Sequence, residues 1–435
     1  MDKKAGNPAA LLPIGVFLLL FIGTGILFHD FYMMPIVIAF LGAILVACLQ
    51  NRSLSLNEKL TIMGEGVGDK NIITMLLIFL LAGAFVGVVG RSSAQSVAYF
   101  MLSLIPAQYA VLVIFAVSCF VSTAMGTSVG TITLITPIAV EVAVVSGFPV
   151  ALCVGSVVGG AMFGDNLSFI SDTTIAACNG QGVAMKDKFR ENFWITLPAA
   201  LATLGVIAFK SFRTPISGSV DMPYSLVQII PYVLVMLGGI IGINVFLVLL
   251  VGIVSGTIIM IGTGHLTFVE ILDGMGSGVS GMFETCMVAI LVAAMCALIR
   301  EYGGFDALLN FIHRIFKGRR SGQLGMGLLV GTMDIATANN TVAIVMANPI
   351  AKTMSEEYGI SPRKTASLLD TFSCIFQGVI PYGAQMLVAV TTTVELGYSV
   401  TALDIMSNLY YPYLLLLSSL LFIFVLPQRK KSIKH

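Results

Sequence analysis

Apolar runs of near-uniform length fill the chain, at 11–28, 34–49, 72–89 and 411–426 among others, separated by short polar stretches. None shows the strict alternation of a strand, and each approaches the roughly 20 residues with which a helix crosses a bilayer core. The pattern predicts an all-α polytopic membrane protein. Two kinds of segment break it. The apolar stretch 107–145 is interrupted by Ala124-Met125-Gly126-Thr127-Ser128-Val129-Gly130, and the stretch 322–351 by Thr337-Ala338-Asn339-Asn340-Thr341. Each reads as a re-entrant hairpin with a polar tip. After each comes an apolar helix broken midway, at Gly164-Asp165-Asn166 and at Gln377-Gly378-Val379-Ile380-Pro381-Tyr382-Gly383. Non-helical backbone at membrane depth is tolerated only where protein buries it or it lines a wet cavity, so paired interruptions point to a carrier's binding site.

The two sets of interruptions belong to a duplication. Gly64-Glu65-Gly66-Val67-Gly68 aligns with Gly274-Met275-Gly276-Ser277-Gly278, and Thr136-Pro137-Ile138-Ala139 with Asn348-Pro349-Ile350-Ala351. At nearly the same offset Gly126-Thr127-Ser128 falls on Ala338-Asn339-Asn340, and Asp165 on Gln377. Shared order at near-constant spacing is the mark of a repeat, here 1–215 and 216–435. Loop charge orients the halves, because Lys and Arg collect on the cytoplasmic side. The loop 51–70 carries Arg52, Lys59 and Lys70, while its mate 262–282 has neither Lys nor Arg. The loop 91–106 holds only Arg91, while its mate carries Arg300, Arg314, Lys317, Arg319 and Arg320. The repeats are therefore expected to be inverted. The tail Arg429, Lys430, Lys431 and Lys434 places the C-terminus with the N-terminus in the cytoplasm, in a multi-pass inner-membrane protein. Lys210 and Arg213 count against this orientation.

Composition fits the same solvent: 57% of the residues are hydrophobic and 10% charged, and a net charge of +1 argues against nucleic acid as a partner. The seven cysteines lie mostly in apolar runs with no C-x-x-C pair, and the four histidines sit at loops, helix ends or the terminus. No zinc site or hydrolase is implied, and no Walker pattern supports nucleotide-driven pumping. Neither an enzyme nor a cofactor is expected, so coupling uses ion gradients.

Charge at depth is the strongest functional signal. An ionised Asp at the centre of a membrane helix costs roughly 2.5–3.5 kcal/mol on insertion scales, so such residues usually face a cavity and mark an ion path. If the stretch after Asp165 is helical, Asp165, Ser168 and Asp172 share one face at i, i+3 and i+7. Sodium suits their carboxylate and hydroxyl oxygens, which makes these three the candidate sodium ligands. Asn166, Ser171 and Thr173 belong to the same segment. The tips add Thr127, Ser128, Thr337, Asn339, Asn340 and Thr341, Asp334 lies one turn before the second tip, and Gln377 replaces Asp165 in the second half. Structural alternatives stand beside these roles: a short acid also caps helices, and hydroxyls and amides also join membrane helices. Glu141 is expected toward an outer hairpin end, Asp370 in an ion pair with the nearby Arg363 and Lys364, and Lys186, Lys188 and Arg190 at the cytoplasmic interface beside Trp194.

The run Phe163-Gly164-Asp165-x-x-Ser168-x-x-Ser171-Asp172-Thr173-Thr174 resembles the signature of the NhaC-type sodium/proton antiporters, with Phe169 where that pattern has Pro. Length, hydropathy and the duplicated hairpin plan are similar to that group, whose relatives include malate/lactate antiporters and suspected amino-acid carriers, and to the wider ion transporter superfamily. The resemblance implies Na+ and H+ as transported species, and hairpins and broken helices forming an elevator-type mobile unit against a dimeric scaffold. The alternative is a Na+- or H+-coupled carrier of a small organic solute, an amino acid or carboxylate. A passive channel would need a continuous pore rather than two opposed hairpins.

Overall fold

The computed structural model describes residues 6–28, 34–169, 171–214, 223–241 and 243–425, and all regular structure among them is helical. The expected boundary at 215/216 and the basic tail from 429 lie outside the described residues. The first half contains α1 (Leu12–Phe28), α2 (Ile36–Leu49), α3 (Leu56–Val67), α4 (Lys70–Leu104), α5 (Ala110–Met125), α6 (Ser128–Ser146), α7 (Val150–Leu167), α8 (Asp172–Gln181) and α9 (Met185–Arg213). The second contains α10 (Leu226–Ile240), α11 (Val245–Gly262), α12 (Phe268–Gly281), α13 (Phe283–Glu301), α14 (Gly304–Ile315), α15 (Arg319–Thr337), α16 (Asn340–Glu357), α17 (Pro362–Val379), α18 (Ala384–Glu395), α19 (Ala402–Ser407) and α20 (Tyr410–Phe424). Eight helical stretches among the described residues are long and apolar enough to cross a membrane, which makes this a multi-pass membrane protein.

Several stretches read as loops are helical instead. Residues 91–104 continue α4 without a break, because Arg91 is the lone charge in an otherwise helix-compatible run. Residues 56–67 and 268–281 form the short helices α3 and α12, each opened by a capping box, Ser55 with Glu58 and Thr267 with Glu270. Reciprocal side-chain and backbone bonds satisfy the first free N–H groups and fix the starts of these helices.

Glycines set the closest packing. α4 and α12 cross where Gly83 and Gly87 lie against Gly278 and Gly274, and a Cβ at any of the four would collide with the carbonyl of its partner. Small residues four apart on both helices let the backbones touch, as in membrane helix pairs joined by packing rather than by the hydrophobic effect. Around this crossing α4 also packs on α10, α11 and α6. A second body of contacts joins α5, α6 and α7 on one side and α15, α16 and α17 on the other, with α9 and α20 packed behind.

Candidate functional site

Both hairpin tips turn by the same backbone device. α5 stops at Gly126, whose φ of 68° is left-handed, and its N–H closes on the Ser122 carbonyl at 2.9 Å. Thr127 is extended and caps α6 by accepting from the Gly130 N–H at 3.3 Å. In the second hairpin Ala338 takes the left-handed place at φ 47°, its N–H closes on the Asp334 carbonyl at 2.8 Å, and Asn339 caps α16 by accepting from the Val342 N–H at 3.0 Å. A left-handed conformation is cheap for Gly and costs an alanine roughly 1–2 kcal/mol, so Ala338 is held there by its surroundings.

The broken helices differ from expectation in one respect. α7 stays helical through Gly164, Asp165 and Asn166 and ends at Leu167, Ser168 is extended, and Ser171 caps α8 by accepting from the Thr174 N–H at 3.2 Å. The break therefore falls at 168–171, where Ser171 offers the new helix a cap. Asp165, Ser168 and Asp172 consequently do not share a helical face. Asp165 is 4% exposed in the last turn of α7, whereas Asp172 is exposed at the start of α8. In the second half α17 ends at Val379, and α18 begins after Gly383 with no side-chain cap.

Asp165 is the meeting point of these parts. Its Oδ2 accepts from Ser128 Oγ at 2.9 Å and from Asn340 Nδ2 at 3.3 Å, so both hairpin tips hold one oxygen. Its Oδ1 accepts from Thr173 Oγ1 at 3.3 Å. Ser128 in turn accepts from Gln385 Nε2 at 3.1 Å, while Gln377 Nε2 donates to Gln385 Oε1 at 2.8 Å and to the Ala338 carbonyl at 2.9 Å. A cavity of about 270 Å³ opens against this set. Asp165, Asp172, Thr173, Thr127, Ser128, Asn339, Asn340, Thr341 and Gln377 line it, as do Lys70, read from the sequence only as a loop charge, and Gln385, which the sequence did not single out. Gln385 lies two residues beyond the second break, and the signal for it was position in the first turn of a half-helix.

The other expected residues serve the frame of the site. Ser171 donates to the Asp165 carbonyl at 3.0 Å, Thr337 to the Met333 carbonyl at 2.8 Å, and the Ser168 carbonyl takes the Thr174 hydroxyl at 2.9 Å. Asp334 is fully buried on α15, and no donor among the described residues reaches either carboxylate oxygen.

Asn166 turns away from the cavity into a second polar cluster. Lys188, expected at the interface, is buried, and its Nζ donates to the Asn166 carbonyl and to Thr174 Oγ1 at 2.7 Å each while pairing with Asp370 Oδ2 at 2.5 Å. Asn192 Nδ2 donates to the Asn166 carbonyl at 3.0 Å, to Asp370 Oδ2 at 3.1 Å and to Asn166 Oδ1. Asp370 thus pairs with Lys188 rather than with Arg363 or Lys364, and Arg363 faces Glu191 at 3.6 Å. The missed signal is a stripe: Lys188, Asn192 and Thr196 recur every four residues on one face of α9, and all three are buried. Glu141 is likewise buried within α6.

The chain has relatives among known proteins. The chain is 22% identical to the Na(+)/H(+) antiporter NhaC of Alkalihalophilus pseudofirmus, over 88% of this chain and 89% of that one. It is 27% identical to the Malate-2H(+)/Na(+)-lactate antiporter of Bacillus subtilis, over 44% of this chain and 41% of that one. The solved structure of the Alcanivorax borkumensis YdaH transporter covers 96% of this chain and 98% of its own, at 13% identity and a TM-score of 0.48. Residues 8–210 and 211–426 match the Na+/H+ antiporter family, and over that extent of both halves the chain belongs to it.

Proposed function

We propose that this chain exchanges Na+ for H+ across the bilayer and that both cations use the Asp165 carboxylate. The observation that carries the reading is the convergence of Ser128, Asn340 and Thr173 on a carboxylate that is almost sealed from solvent beside a polar cavity. An unneutralised charge is costly there, so Asp165 crosses with either a proton or a sodium ion. Loading one expels the other. Opposed fluxes are coupled because only the loaded forms move. Sodium is the cargo, and the hydroxyls of Ser128 and Thr173 are oxygen donors suited to a hard cation. Asp172 faces the cavity from its exposed end and draws cations toward it. Asp334 is a second proton carrier, since a buried carboxylate without donors is tolerated only when neutral or when it holds a cation.

In this reading 1–215 and 216–435 are inverted repeats with both termini in the cytoplasm of an inner-membrane protein. The hairpins and broken helices move as one unit against a scaffold that pairs as a homodimer. Flux in proteoliposomes tests the function. Wild type should drive proton movement with a sodium gradient, and Asp165→Asn should abolish it while staying folded and inserted. Wild-type exchange in folded Asp165→Asn overturns the assignment. A second reading, Na+- or H+-coupled carriage of a small organic solute, is favoured by the cavity's volume and by the malate and lactate exchanged by one relative.

A further inference from the structure

Two acids among the described residues have both carboxylate oxygens sealed from solvent with no donor, Asp334 and Glu395. Glu395 belongs to no part of the site already described. It is the last residue of α18, a helix of 12 residues that meets the cavity at Ala384, so roughly 16 Å of helix separates the two. There α18 runs against α12 and α13, and two contacts one turn apart set the register. Thr391 Oγ1 lies 3.2 Å from Thr285 Oγ1, and the Glu395 carboxylate lies over Gly281, where a Cβ would collide with its Oε1. The missing side chain of Gly281 is the room the carboxylate fills. Glu395 as a whole is only part-buried, so a small parting of this seam wets it.

Ionisation is opposed here from three sides. Water is excluded, no donor stands in its place, and the carbonyl end of α18 carries partial negative charge. Of the elements packed against α18, α6, α12 and α19 carry acids only, Glu141, Glu270, Asp273 and Asp404, and α13 brings Glu284 to this end. The cations lie elsewhere: Lys70 at the cavity, Arg91 beyond the Gly87 and Gly274 crossing, Arg300 at the far end of α13, and Arg363 and Lys364 at the far end of α17. Asp165 of α7 faces the cavity, and Asp370 of α17 is held by Lys188. We propose that Glu395 is a proton site in its own right, a catch that holds the seam shut while protonated and lets α18 part from α12 and α13 once the proton leaves. This rests on the reading in which hairpins and broken helices move against a scaffold. Closing the seam takes up one proton and opening returns it to water, so a rise in pH favours the open form.

The test uses full-length protein in vesicles, freed of its seven native cysteines. Thr285→Cys is the reporter, since Thr285 is 1% exposed in the seam. Its alkylation by an uncharged maleimide is followed from acid to alkaline pH in sodium-free buffer, with Glu395 intact and in Glu395→Gln. Glu395→Leu, which leaves no polar group to strand, is measured beside them. The ratio of the rate with Glu395 to the rate in either variant cancels the thiol's own titration. It should be near one in acid and climb by up to about tenfold per pH unit, as the ionised fraction of a carboxyl does below its midpoint. A ratio that stays flat overturns the proposal. Sodium-driven proton flux in wild-type vesicles separates the two readings. A flat ratio with intact flux leaves the exchange reading standing, and a climbing ratio without flux refutes exchange and keeps the proton site. Absence of both refutes both.

Discussion

Lys188 places its Nζ 2.5 Å from the Oδ2 of Asp370, and the two side chains are 1% and 0% exposed. The same ammonium also occupies the Asn166 carbonyl, one of the free acceptors at the end of α7. A single cation therefore binds α9 to α17 and seals the interrupted helix that carries Asp165. Lys188 is not among the residues that line the cavity, and its bonds to Asn166 and Thr174 make it a fastening for the site.

Removing one member of this pair leaves an uncompensated buried charge. Lys188→Met is expected to destabilise the protein by about 3–5 kcal/mol, and Lys188→Met with Asp370→Leu to recover more than half of that loss. Thermal unfolding in detergent reads both. Equal destabilisation in the single and double variants would show that the pair is not the fastening.

The left-handed tip residues give a signed pair of outcomes. Ala338→Gly should stabilise the second hairpin by about 1 kcal/mol, and Gly126→Ala should cost the first about 1–2 kcal/mol. Midpoint shifts of opposite sign are the expected reading, and a loss of stability in Ala338→Gly would contradict the φ of 47°.

Asp334 has no donor to strand, so Asp334→Asn should change stability by no more than about 1 kcal/mol. Its effect should appear in the coupling. If Asp334 carries a proton, the number of protons exchanged per sodium, measured from reversal potentials in vesicles, falls in the variant. An unchanged ratio removes Asp334 from the cycle.

Topology is open to chemical labelling in a variant freed of the seven native cysteines. Single cysteines at 51–55 and 316–318 are expected to react from the cytoplasm, and ones at 263–267 from outside. Reaction of 51–55 and 263–267 from the same side would refute inversion of the repeats.

The helices and hairpin tips were legible because membrane solvent leaves few choices: an apolar run of span length is a helix, and Gly126 or a cluster of amides inside one is a turn. Gln377 and Asp165 were found by the same logic, as polarity that a bilayer does not tolerate without purpose. Local polarity misplaced the first break, however. Gly164-Asp165-Asn166 looks like an interruption, but these residues stay helical, and the chain opens instead where Ser171 can cap α8. Lys188 was illegible for another reason. Its neighbours Lys186 and Arg190 lie exposed near the start of α9, and what distinguishes Lys188 from them is the stripe it shares with Asn192 and Thr196 and the partner Asp370, far along the chain.

The glycine crossing of α4 and α12 has a consequence for biogenesis. Gly83 and Gly87 are synthesised in the first half of the chain, and the surface they fit, Gly274 and Gly278, arrives only after α5 to α11 have been made. During that interval α4 must stand in lipid with its groove open, and the crossing closes late, as a step of assembly within the bilayer. Variants at these four positions should therefore fail as partly inserted chains removed by quality control, before any question of transport arises.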